Sequence, residues 1–159
     1  MSYWESPGRS DEYFTPKYLF DAMGCHFDMD VASPVDRQFC SVPANTFITE
    51  RSLEVEWMGF VWMNPPFGGR NGLTPWVSKM IDHNNGIALT PDRTSAPWWQ
   101  IAAQPAKAIL FVNGKIKFVK SDGRTANSPS NGTTLFAYGQ KGLLALLRAS
   151  ENGLGILLT

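Results

Sequence analysis

The sequence predicts an α/β fold, a mostly parallel sheet flanked by helices in a single domain. Three observations carry this. Six short runs are apolar throughout rather than alternating, as strands covered on both faces are. Segments with helical spacing lie between several of them. A chain of 159 residues, 43% hydrophobic and 18% charged, can bury a sizeable core as about one domain, which excludes general disorder.

The elements follow in order. Thr15 and Pro16 read as a helix start, with a side-chain cap and a proline at the first helical position. Leu19, Phe20 and Met23 then share a face, and Gly24 ends the helix. A strand is predicted over 27–31, a loop over 33–52 and a second strand over 59–63. Thr74-Pro75 repeats the helix-start grammar, with Trp76, Val77, Met80 and Ile81 as apolar positions and Asn84-Asn85-Gly86 as the stop. A strand over 86–89 leads to a helix from near Ser95 to about Ala103, ahead of Pro105. Strands over 108–112 and 133–138 flank the Ser-, Asn- and Gly-rich loop 121–132. A helix over 140–151, with Leu143, Leu144, Leu146 and Leu147 as its apolar positions, precedes a last strand over 155–158. Residues 1–11 read as an N-terminal tail and 12–159 as the domain.

Composition narrows the function classes. No apolar run approaches the roughly 18 residues that cross a bilayer. The polar start MSYWESPGRSDEY has no signal stretch, so a cytoplasmic protein is expected. Cys25 and Cys40 are too few for a disulfide scaffold and, with two histidines, make a poor zinc site; no metal is expected. His26 and His83 read as surface or packing residues. Fourteen bases balance fourteen acids, which argues against a coat-like nucleic-acid binder. The halves differ: residues 1–56 hold ten acids and four bases, residues 57–159 four acids and ten bases. That split allows one basic face, with ordinary surface solvation as the alternative.

The most informative stretch is Phe60-Val61-Trp62-Met63-Asn64-Pro65-Pro66-Phe67-Gly68-Gly69. An apolar strand runs directly into Asn-Pro-Pro-aromatic and two glycines. In open α/β sheets ligands sit beyond the carboxyl ends of strands, where this corner falls. The Asn64 carbonyl can accept a hydrogen bond from an amino group. Two prolines stiffen the loop and leave its carbonyls as acceptors. Phe67 offers a flat stacking surface. Together they describe a clamp for a planar group bearing an exocyclic NH₂. Two acceptors holding its protons favour a pyramidal nitrogen whose lone pair can attack an electrophile.

Other candidates are less distinctive. Arg93 follows a predicted strand and could contact a phosphate or orient a substrate; pairing with Asp92 or a helix cap is the alternative. Trp98 or Trp99 could lie near a base, although helix packing is the commoner use. Lys115 and Lys117 alternate with Ile116 and Phe118, so both would face one side of a strand. With Lys120 and Arg124 they make a phosphate-contacting edge, or an edge protected from aggregation.

The Asn-Pro-Pro-Phe corner resembles motif IV of amino-group methyltransferases that use S-adenosylmethionine. Phe14-Thr15-Pro16, Phe27-Asp28-Met29-Asp30-Val31, Leu53 and Trp57, Leu89-Thr90-Pro91-Asp92-Arg93-Thr94 and Gly114-Lys115-Ile116-Lys117-Phe118 occur in the order seen in phage Dam-like DNA N6-adenine methyltransferases. The likeness spans about residues 12–138. It implies a Rossmann-like methyltransferase domain of reduced size, with S-adenosylmethionine as cofactor and DNA as partner, in the host cytoplasm if phage-encoded. Asn64, Pro65, Pro66 and Phe67 would be catalytic. Phe14, Thr15 and Pro16 would lie near the methionine end of the cofactor, and Asp30 would be the acid that opens motif I. Asp28, sharing its face at period two, and Glu50, toward the adenosine end, would be further contacts. Arg93, Trp98, Lys115, Lys117 and Arg124 would face substrate or DNA. The glycine-rich turn usual after the acid is missing, since no glycine occurs between Gly24 and Gly59; small Ala32 and Ser33 would have to admit the cofactor. With no room for a separate recognition domain, weak specificity from loops 68–73 and 119–132 is expected, which a homodimer or partner could supplement. Two alternatives remain open at this point. One is another acceptor, a protein glutamine amide or an RNA base; the other is a non-catalytic nucleic-acid-binding relative.

Overall fold

The structure, a computed structural model, describes residues 13–66, 72–127 and 131–159. The tail expected over residues 1–11 and the stacking residue Phe67 lie outside these. Strand β1 (Tyr13–Phe14) precedes helix α1 (Lys17–Met23), β2 (Phe27–Asp30), β3 (Ala44–Phe47) and a 3-10 turn (Ser52–Glu54). Then come β4 (Val61–Met63), α2 (Thr74–His83), β5 (Gly86–Pro91), α3 (Pro97–Ala103) and β6 (Ala108–Val112). The last elements are β7 (Val119–Lys120), β8 (Thr133–Tyr138), α4 (Gly139–Glu151) and β9 (Gly155–Leu158).

Five of the six apolar runs become the inner strands of a seven-stranded sheet in the order β3-β2-β4-β5-β8-β6-β9, while the last forms the edge strand β9, with Ile156 and Leu158 exposed. Side chains alternate between its two faces, and helices cover both. On one face Leu19, Phe20 and Met23 of α1 and Ala145, Leu146 and Ala149 of α4 pack on Trp62, Ile87 and Leu110. On the other, Val77 and Met80 of α2 and Trp98, Trp99 and Ala102 of α3 pack on Val61, Met63 and Phe136. No helix among the described residues is long and apolar enough to cross a membrane.

Several expectations need correction. The sheet is mixed: β3, β2, β4 and β5 pair in parallel, but β8 is antiparallel to β5 and β6, and β9 to β6. Among its described residues the connection from β6 to β8 contains no helix, and only parallel neighbours require a crossover. The loop expected over 33–52 contains β3, whose half-exposed, edge-facing residues show no apolar run. The Lys115 to Phe118 stretch is extended but unladdered; the strand there is β7.

Helix ends also shift. Pro16 is the residue before α1, with φ −68° and ψ 149°, and no side chain caps the helix. Gly24 closes it as expected, donating its N–H to the Phe20 carbonyl at φ 58°. α3 starts at Pro97, two residues after Ser95, because a residue preceding proline is driven out of the helical region; Ala96 is extended, at ψ 139°. In α4 the expected leucines pack only in part, Leu146 within the core and Leu143 against it, and small residues complete the face. Gly142, Ala145, Leu146 and Ala149 are buried, while Leu144 is exposed.

The reason is close approach. A Cβ on Gly142 would lie 2.9 Å from the Gly86 carbonyl oxygen, so only a small residue lets the helix sit this near the sheet. Gly86 is itself confined, because its Cβ would lie 2.6 Å from the Val61 carbonyl oxygen across β4 and β5. Backbone on a central strand cannot yield as a side chain does. Gly86→Ala is expected to destabilise the fold by about 1–3 kcal/mol through overpacking, read as a lower urea midpoint at unchanged slope.

Candidate functional site

Strand β2 pairs with β3 on one side and β4 on the other. The chain therefore reverses its direction of travel across the sheet at β2, and a crevice opens beyond the carboxyl ends there. Asp30 closes β2, and Asn64 follows β4 by one residue. The segment between β1 and α1 lies against both.

Asn64 is 2% exposed, and its Nδ2 donates to Thr15 Oγ1 at 3.1 Å. Thr15 is thus no helix cap. With α1 beginning at Lys17 its hydroxyl turns inward to the amide instead. This bond orients the amide, whose oxygen lies on the other branch. A narrow cavity joins Asn64 to Phe14, Thr15, Asp30, Ala32 and Trp62, and is closed over by Cys40, Ser41 and Val42. Sequence reasoning missed Trp62, concealed within its apolar run, and the 40–42 segment, which has no motif. Trp62 is held by Phe20, ring centroids 4.8 Å apart at 70°.

The Asp30 carboxyl is 2% exposed. Burial pushes its pKa up to about 7, against the pull of the Ala32 N–H that its Oδ1 accepts at 3.2 Å. Sharing Ala32 with the first cavity, a second encloses about 470 Å³, part of it open to solvent. Ser33, Ile48, Glu50, Ser52, Pro66 and Trp76 are among its lining residues. Pro65 is buried behind this corner, while Pro66 is half-buried.

Three expected residues fall elsewhere. Asp28 is exposed, and its Oδ2 accepts the Phe60 N–H at 2.7 Å, fastening the entry to β4. Period-two spacing fails here because the Asp28 and Met29 N–H groups both converge on the Phe60 carbonyl, at 2.7 and 3.5 Å. This bulge-like step shifts the parity: Phe27 packs on one face of the sheet, Met29 and Val31 on the other. Trp98 is 3% exposed among the α2 and α3 packing residues, with no ring face left for a base. Pro16 lines neither cavity; it starts α1.

The bases expected to face DNA lie in two places, along the 115–124 segment and just past β5. β7 pairs antiparallel with β1, Lys120 opposite Tyr13, beside the first cavity. Lys115 and Lys117 are exposed, with Ile116 and Phe118 buried between them. Arg124 is exposed and pairs with Asp122 at 3.2 Å. Arg93 is half-buried just past the carboxyl end of β5, on the same sheet edge as Asn64. No group of three or more His, Cys, Asp or Glu among the described residues could hold a metal.

A polar corner at the switch point of a mixed α/β sheet, with a buried acid and an adjoining cavity, marks a candidate ligand site. The family can be stated more narrowly. A family model described as "DNA N-6-adenine-methyltransferase (Dam)" matches residues 6–141, and the chain belongs to this family. It is 22% identical over 153 aligned residues to a DNA N-6-adenine-methyltransferase of Escherichia phage T1, covering 84% of this chain. The chain spans 60% of the length of that relative. No solved structure matches it significantly.

The buried acid sets a pH dependence. A native carboxyl at about 7, above its ordinary value near 4, makes the folded state hold the extra proton between those limits. Stability contributed by this group therefore falls as pH rises from about 4 to about 7, and is level beyond. Asp30→Asn should remove that slope and be the more stable protein at pH 8, checked by urea unfolding of both proteins from pH 4 to 9.

Proposed function

We propose that residues 12–159 form a Rossmann-like methyltransferase domain of reduced size. It transfers a methyl group from S-adenosylmethionine to the exocyclic N6 of adenine in DNA. The observation that carries this is the cavity joining Asn64 to Thr15 and Asp30 at the switch point. The donor set suits the cofactor: an acid held in a desolvated cavity is returned to its charged form by a cationic ligand. Phe14, Thr15 and Asp30 would hold the methionine end, and Glu50 in the second cavity the ribose hydroxyls. Ala32 and Ser33, small residues that line the crevice, leave room for close approach.

When bound, S-adenosylmethionine supplies a methyl group on positively charged sulfur, open to direct displacement. Asn64 Oδ1 and the Pro65 carbonyl accept the two N6 protons, so the nitrogen lone pair turns out of the ring's conjugation. Held so, N6 would be presented to that methyl group, and the proton it no longer needs would pass to water. The fixed φ of Pro65 and Pro66 holds this geometry, so positioning supplies the rate and no raised or lowered acid is needed. Phe67 stacks on the base. A base inside a duplex cannot enter such a corner and is flipped out, at a few kcal/mol of unstacking. Lys115, Lys117, Lys120, Arg124 and Arg93 contact the phosphates.

Labelled methyl transfer to DNA, RNA and protein in parallel tests the acceptor, with N6-methyladenine in DNA the expected product; label only in RNA or protein would redirect it. Asn64→Ala should lower kcat by about 100-fold or more, the scale of a lost transition-state hydrogen bond, with cofactor binding nearly intact by calorimetry. Replacing Lys115 and Lys117 by alanine should reduce the slope of log K for DNA against log salt by about 2, one per lost phosphate contact, measured by fluorescence anisotropy.

A further inference from the structure

Trp76 stands apart from the other inward tryptophans. Trp62 and Trp98 are enclosed in the core, but Trp76, on the first turn of α2, is half-buried and forms a wall of the second cavity. Its indole is braced from behind. Trp57 stacks against it, centroids 6.3 Å apart and planes 29° from parallel. Trp57 is in turn fixed through Nε1, which donates to the Ser52 carbonyl and to Ser52 Oγ, both at 3.0 Å. Lys79 lies over the Trp57 ring at 4.9 Å and ties the Ser52 and Val55 carbonyls together. The same turn carries Arg51 at φ 54°, a left-handed conformation uncommon for a side-chain-bearing residue, and this bend sets Glu50 and Ser52 along the cavity. A rigid aromatic plate thus lines one cavity with a carboxylate acceptor. That pairing suits a nucleoside: a ring on the plate, and ribose hydroxyls donating to the acid.

We propose that Trp76 stacks on the adenine of the methyl donor and so anchors the nucleoside end of the cofactor. This rests on the methyltransferase reading above, but names a residue that reading does not require. The test uses S-adenosylhomocysteine as an unreactive probe, with calorimetry and tryptophan fluorescence on the full chain. Trp76→Leu, which keeps bulk without a ring, should weaken binding about tenfold, the scale of one base–aromatic stack. Trp76→Phe should bind within about threefold of the parent, since a ring of either kind can stack, yet lose the ligand-induced quenching of fluorescence. Undiminished quenching in Trp76→Phe, or unchanged affinity in Trp76→Leu, overturns the assignment while leaving the methyltransferase reading intact. So does a weakened DNA affinity with cofactor binding unaltered, which would give the plate to a target base. If the parent chain fails to bind the probe at all, both the assignment and the cofactor reading fall. Should Trp76→Leu not fold, the quenching arm of Trp76→Phe decides.

Discussion

Strands β2 and β4 run side by side in the same direction, Met29 opposite Val61 and Asp30 opposite Trp62. Their next neighbours lie outward, β3 beyond one and β5 beyond the other. The two carboxyl ends therefore lie together at the switch point. Three polar side chains are buried at this junction, Thr15, Asp30 and Asn64. Burying such groups is costly unless they are bonded, and each bond here is local to the junction. The Thr15–Asn64 bond links residues 49 apart in sequence, so the first helix and the Asn-Pro-Pro corner are held as one piece. Slippage of β2 against β4 would separate all three.

The parts of this arrangement written in short-range patterns could be read from the chain. The three strands over 108–112, 133–138 and 155–158 match the residues observed, because their apolar runs are bounded by turn residues. The strand-to-proline corner at Asn64 is equally local. Long-range facts left no such trace. The antiparallel insertion of β8 depends on how a loop returns, and the parity shift at Asp28 depends on a carbonyl of another strand. The small-residue face of α4 depends on how near the helix sits to Gly86, and of the leucines that spacing favoured Leu146 is buried while Leu144 is exposed. Thr15 shows the limit most clearly. Its neighbours specify a cap, but a partner 49 residues away wins the hydroxyl.

The chemistry proposed for the corner explains why it can be so dry. Transfer between sulfur and nitrogen needs no group poised to ionise, so Asn64 serves where a titratable residue would meet a large desolvation cost. Asp30 does meet that cost, and burial lifts its carboxyl toward neutrality. A buried carboxyl of this kind is a poor contributor to stability. It is well suited to a cavity whose ligand brings positive charge, because the attraction strengthens as water is excluded.

The basic flank and the cavity share one support. β1 is two residues long and, among the described residues, pairs with β7 alone; it carries Phe14 into the cavity, while its partner strand carries Lys120. A two-stranded ribbon of this length has little stability of its own, so it is held by what packs around it. Phe14 meets the ring of Phe39 edge-on at 6.3 Å, and Phe39 belongs to the segment leading into Cys40, Ser41 and Val42 over the cavity. On the reading proposed above, phosphate contacts on the Lys120 side brace the ribbon that also presents Phe14 and Thr15. DNA and cofactor would then steady the same few residues from opposite sides. Each ligand would lower the ordering cost met by the other, without either site changing shape.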